Sequence, residues 1–314
     1  MAVVLTYNSA DQVAACLDSL ERSDLVDLAV TLVDNASTDG TTELLRESYG
    51  QYALTIAKRN QGFGAGCNLG IATARAAGAE YALLVNPDAV LAPDAARRLV
   101  EFMDAHPEAG AVGARTHAMT PMACGSPRLL YAGSVRGLLP LRQVVAGIER
   151  ADTKDHIAPI EVDYVWGHGM LLRLSALAEV GGFDEDFFMY YEDLDLCRRI
   201  KAAGHGVWCE PSALMWHDAL DGSRAIDSEF WRWRFKAHSM AHFHRKHYGA
   251  LAGRGLSACT GIIEALQLAK QGRLRALGHQ VLANVAHAFG MGVHRTQVTN
   301  SYCLGPEESA SSPH

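Results

Sequence analysis

The 314-residue sequence has no surplus of positive charge: 28 Lys and Arg stand against 35 Asp and Glu, a net charge of −7. Gripping nucleic acid by its phosphates requires a basic footprint. The charge therefore argues against nucleic acid as a bulk partner, although it does not exclude one nucleotide whose phosphates a metal neutralises. CxxC pairs are absent, and the seven cysteines (Cys16, Cys67, Cys124, Cys197, Cys209, Cys259 and Cys303) are scattered and odd in number. That argues against a disulfide frame or a cysteine zinc site, and for reduced thiols in a cytoplasmic setting. No run of 18 apolar residues occurs, so no transmembrane helix is expected. No leader is expected either, because the first residues run directly into VVLTYN. What the chain does have is a 49% hydrophobic content with 20% charged residues, the ordinary make-up of a sizeable globular core.

Short apolar runs alternate with helical periodicity through the first third. Strands are expected over residues 2–6, 28–33, 53–57 and 81–85. Helices are expected over 9–20 (Ser9 as N-cap), 41–49, 66–77 and 93–105. Strand–helix alternation of this kind marks a mostly parallel sheet with helices on both faces. Such sheets bind ligands beyond the carboxyl ends of their strands. Polar residues gather there: Thr6, Tyr7 and Asn8, then Asp34 and Asn35, then Asn86-Pro87-Asp88. Residues 111–114 suggest a fifth strand. Residues 119–159, rich in Gly and Pro, read as a long loop or β-rich insertion. Strand character returns over 161–173 with Gly167-His168-Gly169 inside it, and again over 207–215, followed by Trp216-His217-Asp218. A helical extension is expected over 226–300, and the tail 301–314 reads as disordered. Within it, Trp231 to Tyr248 is aromatic and basic, and two apolar stripes (Cys259, Ile262, Ile263, Leu266, Ala269; then Leu274, Leu277, Val281, Val285, Ala288) read as packing faces.

Three stretches carry chemistry. FFMYYEDLDLCRR, residues 187–199, runs two phenylalanines and two tyrosines into Glu192, Asp193 and Asp195 at a helix start. The helix dipole there favours an ionised carboxylate, as a general base requires. Read alone, the same acids merely complement the dipole. Asn86-Pro87-Asp88 can set a carboxylate on a divalent cation at the sheet edge, or simply start a turn. His217 can add a nitrogen ligand to Asp88 for Mg²⁺ or Mn²⁺, with Asp218 behind it. The loop NQGFGAGCN, residues 60–68, lets backbone approach a nucleotide. It is not a dinucleotide fingerprint, since Cys67 stands where the third glycine belongs, nor a Walker loop, since no Lys-Ser/Thr follows.

Taken in order, VVLTYN, VDNASTDGT, NQGFGAGCN, LLVNPDA, GGFDEDFFMYYEDLDLCRR and WH resemble the inverting glycosyltransferases of family two, most of all the rhamnosyltransferase-like branch. The resemblance covers about residues 2–250 and implies a GT-A fold. That fold would place a Rossmann-like nucleotide-binding half at 1–115 and an acceptor-binding half at 116–225. It further implies that Thr6, Tyr7, Asn8, Asp34 and Asn35 hold the nucleoside, with Asp34 accepting from the N3–H of uracil or thymine. Asn60, Gly62 and Asn68 would line the nucleoside and sugar, and Asn86-Pro87-Asp88 stands in the place of a DxD motif. Asp88 and His217 would hold Mg²⁺ or Mn²⁺, Asp193 would be the base, and Glu192 its neighbour facing the acceptor; Asp195 reads as a helix-face charge. Asn86 departs from the first DxD acid, and His168 stands where small residues are usual. The implied donor is a dTDP- or UDP-sugar, dTDP-rhamnose among them. The acceptor is a glycan, a lipid-linked glycan or a small molecule. Peripheral contact of the basic aromatic helix with the inner face of the cell membrane is open, as is a homodimer. Two other readings compete: a nicotinamide-dependent oxidoreductase, and a glycan- or sugar-nucleotide-binding module without catalysis.

Overall fold

The computed structural model describes residues 1–118, 129–130, 157–217, 229–270, 272 and 274–288. Most of the expected 119–159 insertion, Asp218 and the expected disordered tail lie outside them. Strand β1 (Ala2–Thr6) is buried throughout, and its residues alternate between two cores. Ala2 and Val4 face one core, with Leu17 of α1 (Val13–Glu21), Leu45 of α2 (Thr41–Ser48) and Leu99 of α4 (Ala95–Ala105). Val3 and Leu5 face the other, with Ile71 of α3 (Phe63–Ala76), Leu177 of α5 (Leu174–Val180) and Leu196 of α6 (Glu192–Ala202). Two-sided burial is why these strands read as continuous apolar runs.

The remaining strands are β2 (Val30–Asp34), β3 (Ala53–Ile56), β4 (Tyr81–Val85), β5 (Ala89–Leu91), β6 (Ala109–Ala118), β7 (Leu129–Leu130), β8 (Ile160–Glu161), β9 (Gly169–Arg173) and β10 (Gly206–His217). Along the sheet the order is β3-β2-β1-β4-β9-β6-β10-β5. On this path β9 and β5 run against the rest, so the sheet is mostly parallel with two reversed strands. The insertion of β9 between β4 and β6 brings Gly169 beside Val85, one residue before Asn86. The pairing of β10 with β5 sets His217 opposite Ala89, one residue after Asp88.

Several boundaries differ from the sequence reading. Helix α1 starts at Val13 because the Ser9 carbonyl first accepts the N–H groups of Gln12 and Val13, and the Ser9 hydroxyl bonds the Tyr7 carbonyl instead of capping the helix. The strand expected over 161–173 is split. Residues 162–168 leave the sheet, so Gly167 and His168 sit in the connection and Gly169 opens β9.

Helices α7 (Glu229–Tyr248), α8 (Ala250–Lys270) and α9 (Leu274–Ala288) pack on one another. Within α7, His244 is buried and His247 binds Asp195 of α6. The two apolar stripes expected to pack inward do not. Cys259, Ile262, Leu266, Val281 and Val285 are exposed, while Thr260, Gly261, Gln280 and Ala283 are buried.

Candidate active site

At the carboxyl end of β2 the Asp34 carboxylate is wholly buried and saturated. It accepts from the Thr6 hydroxyl, the Ser37 hydroxyl and N–H, and the Thr42 hydroxyl. Four donors fill its acceptor sites, so in this structure it ties β1 to the 37–42 turn and offers nothing to a base N3–H. Asn35 is similarly engaged, donating to Asn60 Oδ1 and the Gly62 carbonyl and accepting from the Gln61 N–H. Tyr7 and Asn8 are half-buried at the mouth, and Asn8 exchanges bonds with the opposite turn, accepting from Thr38 N–H while its own N–H donates to Ser37 Oγ.

The glycine loop is shaped by protein. Gly62 has φ +90°, and a Cβ there would lie 2.1 Å from the Phe188 carbonyl oxygen, which also accepts the Phe63 N–H. The loop thus docks against the aromatic segment 187–191. Asn68, expected to line the sugar, makes a two-point pairing with the Phe183 backbone: its Nδ2 donates to the carbonyl and its Oδ1 accepts the N–H, both at 3.0 Å. These two contacts fasten the two ends of the 183–188 segment to α3.

That segment leads into the acids through a strained turn. Tyr190 and Tyr191 have φ of +69° and +66°. Left-handed backbone is rare for bulky residues and clusters where surrounding structure imposes it at functional sites. Asn8 and Ala36 share it at the ends of β1 and β2. Phe187 and Tyr191 pack on Met240 and Phe243 of α7, and Phe188 stacks on Phe235. The wall is therefore braced from behind by α7.

The three acids at the start of α6 differ sharply. Asp193 is 8% exposed, and its Oδ1 accepts the Leu194 N–H. Glu192, at the helix start where the dipole favours an ionised carboxylate, is buried, with Oε2 lacking a partner. Burial, then the adjacent Asp193 charge, pushes its carboxyl well above the usual range. Desolvation outweighs the helix dipole here. Asp195 is a correction too: it is fully buried, 2.7 Å from Arg199 and 2.8 Å from both Lys246 and His247. Burial alone would raise its carboxyl, but bonds from His247, Lys246 and Arg199 pull it down to about 2. It couples the acid helix to α7.

Asn86, Asp88 and His217 converge. His217 Nε2 lies 3.2 Å from Asp88 Oδ1 and 3.3 Å from the Asn86 amide nitrogen. One ring nitrogen cannot donate to the carboxylate and accept from the amide at once. A divalent cation there would satisfy both the nitrogen lone pair and the carboxylate, and this mixed N/O donor set suits Mn²⁺ or Mg²⁺ completed by substrate phosphates. His168 stacks on His217 at 4.3 Å and lies 3.0 Å from Thr116 Oγ1. Burial and the nearby His217 hold His168 well below the usual histidine range, hence neutral. Asp184, Asp186 and His242 form a second cluster with ligand atoms within 4.8 Å. There the Lys246 ammonium sits 2.6 Å from Asp184 and helps hold that carboxyl low against the opposing effect of burial. A cation is already in place, so the first cluster fits a metal better.

Thr116, the strained tyrosines and the Asp195 network went unread in sequence. Only the density of charge in EDLDLCRR and RKHY could have signalled the last.

Residues 1–181 match the family Glycosyl transferase family 2. Over 231 residues the chain is 32% identical to an N-acetylglucosaminyl-diphospho-decaprenol L-rhamnosyltransferase of Mycobacterium tuberculosis, covering 68% of this chain and 74% of that one. Over 249 residues it is 25% identical to the rhamnosyltransferase WbbL of Escherichia coli, covering 75% and 89%. Its fold is similar to that of the mannosyltransferase PcManGT from Pyrobaculum calidifontis, solved in complex with GDP-Man and Mn²⁺, at a TM-score of 0.55 and 20% identity over 92% of this chain and 86% of that one. It is also similar to that of S. aureus TarS 1–349 in complex with UDP-GlcNAc, at a TM-score of 0.51 and 16% identity over 92% and 91%. The chain belongs to glycosyl transferase family 2, and it is a glycosyltransferase of GT-A fold that moves a sugar from a nucleotide-sugar donor to an acceptor.

Proposed function

We propose that the protein is an inverting, rhamnosyl-type transferase taking its sugar from a dTDP- or UDP-sugar and passing it to a hydroxyl of a lipid-linked glycan. The names of the two rhamnosyltransferase relatives support the sugar, and the decaprenol-linked substrate in one of them supports the acceptor. The observation that carries the mechanism is the strained Tyr190–Tyr191 turn, which delivers Asp193 to the first turn of α6 behind an aromatic wall.

Asp193 takes the proton of the acceptor hydroxyl as that oxygen attacks the anomeric carbon. The bond from that carbon to the diphosphate breaks on the opposite face, the configuration inverts, and the nucleoside diphosphate leaves. The transition state has the oxocarbenium character of glycoside chemistry. Tyr7, Asn8 and Asn60 are half-buried and meet the nucleoside, while Thr6, Asp34 and Asn35 hold the loops that present them. Gly62 and Asn68 act through the 183–188 segment, and Asn86, Pro87, Asp88 and His217 form the diphosphate end. When bound at Asp88 and His217, Mg²⁺ or Mn²⁺ supplies Lewis-acid neutralisation of the charge on that diphosphate.

Replacing Asp193 by Asn tests the base. Turnover should fall by about 10²–10⁴ while heat protection by the donor is retained. A variant that turns over like the parent removes Asp193 from this role. A heat-stabilisation screen of dTDP-, UDP- and GDP-sugars tests the donor. Preference for a GDP-sugar would overturn that half of the reading and leave the base intact.

A further inference from the structure

Helices α8 and α9 are built inside out. On α8 the positions 251, 255, 258, 262, 266 and 269 fall on one helical face, each step three or four residues. That face is apolar and turned outward, with Leu251 86%, Ile262 60% and Leu266 65% exposed. On α9, Leu282 is 59% exposed, with Val281 and Val285 beside it at 46% each. The inward face is small and polar. Gly253, Ser257 and Gly261 recur at four-residue steps, and a Cβ on Gly253 would fall 2.8 Å from the Arg245 backbone nitrogen. Ser257 donates to the Gly253 carbonyl and meets His244 Nδ1, and Gln280 Nε2 donates to the Gly261 carbonyl. Small residues at the contact, hydrogen bonds as glue and large aliphatics outside are how helices associate in an apolar medium. In water the same residues would be arranged the other way round.

Charge names the medium. Residues 250–288, which hold α8 and α9, carry four Lys and Arg (Arg254, Lys270, Arg273 and Arg275) against one acid, Glu264, a net +3, although the whole chain is −7; the remainder therefore carries −10. Exposed Arg254 and Lys270 border the α8 stripe on either side. Among the described residues no helix is long and apolar enough to cross a membrane. A cationic rim around an apolar, non-spanning helix face fits the headgroup–acyl boundary of an anionic bilayer.

We propose that the outer faces of α8 and α9 form a membrane-docking surface that seats this enzyme on anionic lipid without spanning it. The sequence left membrane contact by α7 open, but α7 is spent on bracing the aromatic wall, and the two helices behind it carry the exposed apolar surface. The docking surface shares no residue with the catalytic assignments, so it stands or falls separately from them.

Flotation of the full chain with vesicles tests it, using phosphatidylcholine alone and phosphatidylcholine mixed with phosphatidylglycerol. The protein should float with the mixed vesicles, and less well as salt rises. Ile262→Gln with Leu266→Gln should lower the bound partition by about tenfold or more. Arg254→Glu with Lys270→Glu should lower it about fivefold or more per site. Both pairs are exposed, so the fold and turnover of a water-soluble acceptor should be unchanged. Failure to float with either vesicle overturns the proposal, as does flotation of I262Q/L266Q at the parent level. A stable dimer that I262Q/L266Q disperses, with no flotation, overturns it in favour of a second copy as the occupant.

Discussion

Replacement of Asp195 by Asn should cost far more than a helix-face charge would. The side chain is fully buried and meets Arg199, Lys246 and His247 within 2.8 Å. Its carboxyl is held near 2 against an ordinary 3.8, which corresponds to about 2–3 kcal/mol of folding free energy at neutral pH. Removing one member of a buried ion pair costs about 3–5 kcal/mol when the remaining charge has nowhere to go. Here Lys246 keeps Asp184, and Arg199 keeps the Val180 carbonyl, so the lower figure applies. The sign follows from the depressed folded-state value. The contribution is fully present above about pH 4 and disappears as pH falls through 4 toward 2. Urea unfolding midpoints of the parent and Asp195→Asn, followed from pH 7 to pH 2.5, give the difference directly. The gap should be about 2–3 kcal/mol at pH 7 and should shrink steeply below pH 4. Because the comparison is between two chains, acid effects on other carboxylates cancel. A gap under about 0.5 kcal/mol at pH 7, or one that does not narrow in acid, would refute the idea that this network holds α6 to α7.

Gly62→Ala should destabilise by about 2 kcal/mol or more, because φ +90° and a 2.1 Å approach to the Phe188 carbonyl both oppose a Cβ; thermal unfolding checks it, and a neutral result would contradict the docking of this loop. Glu192→Gln should be no less stable than the parent at pH 7. Its raised carboxyl favours folding fully below the ordinary value of 4.5 and progressively less as pH rises, so the gap should move toward the variant as pH rises above 4.5. A large loss of stability at pH 7 would show Glu192 to be ionised and needed as an anion. His217→Ala should weaken Mn²⁺ binding, read by electron paramagnetic resonance, by about tenfold or more; undiminished binding would move the metal away from Asp88.

Much of this protein was legible before any coordinates. Two-sided burial leaves continuous apolar strands, and helical spacing marks what covers them, so β1, β2, β4 and the helices between them could be read within a few residues. The acids, the Asn86-Pro87-Asp88 turn and His217 were also visible, because strand ends and helix starts collect the side chains that chemistry uses. What could not be read were distances across the chain. Asp34 looks like a ligand-binding acid until four donors are found around it. Asp195 looks like a solvated charge until α7 brings Lys246 and, 52 positions along the chain, His247 against it. The stripes of α8 and α9 show the limit most plainly: periodicity reveals that a helix has an apolar face, but only packing decides whether that face turns toward the protein or away from it. Local sequence sets which residues share a side; the burial of small residues against α7, and the charge left around the rim, set which side meets the solvent.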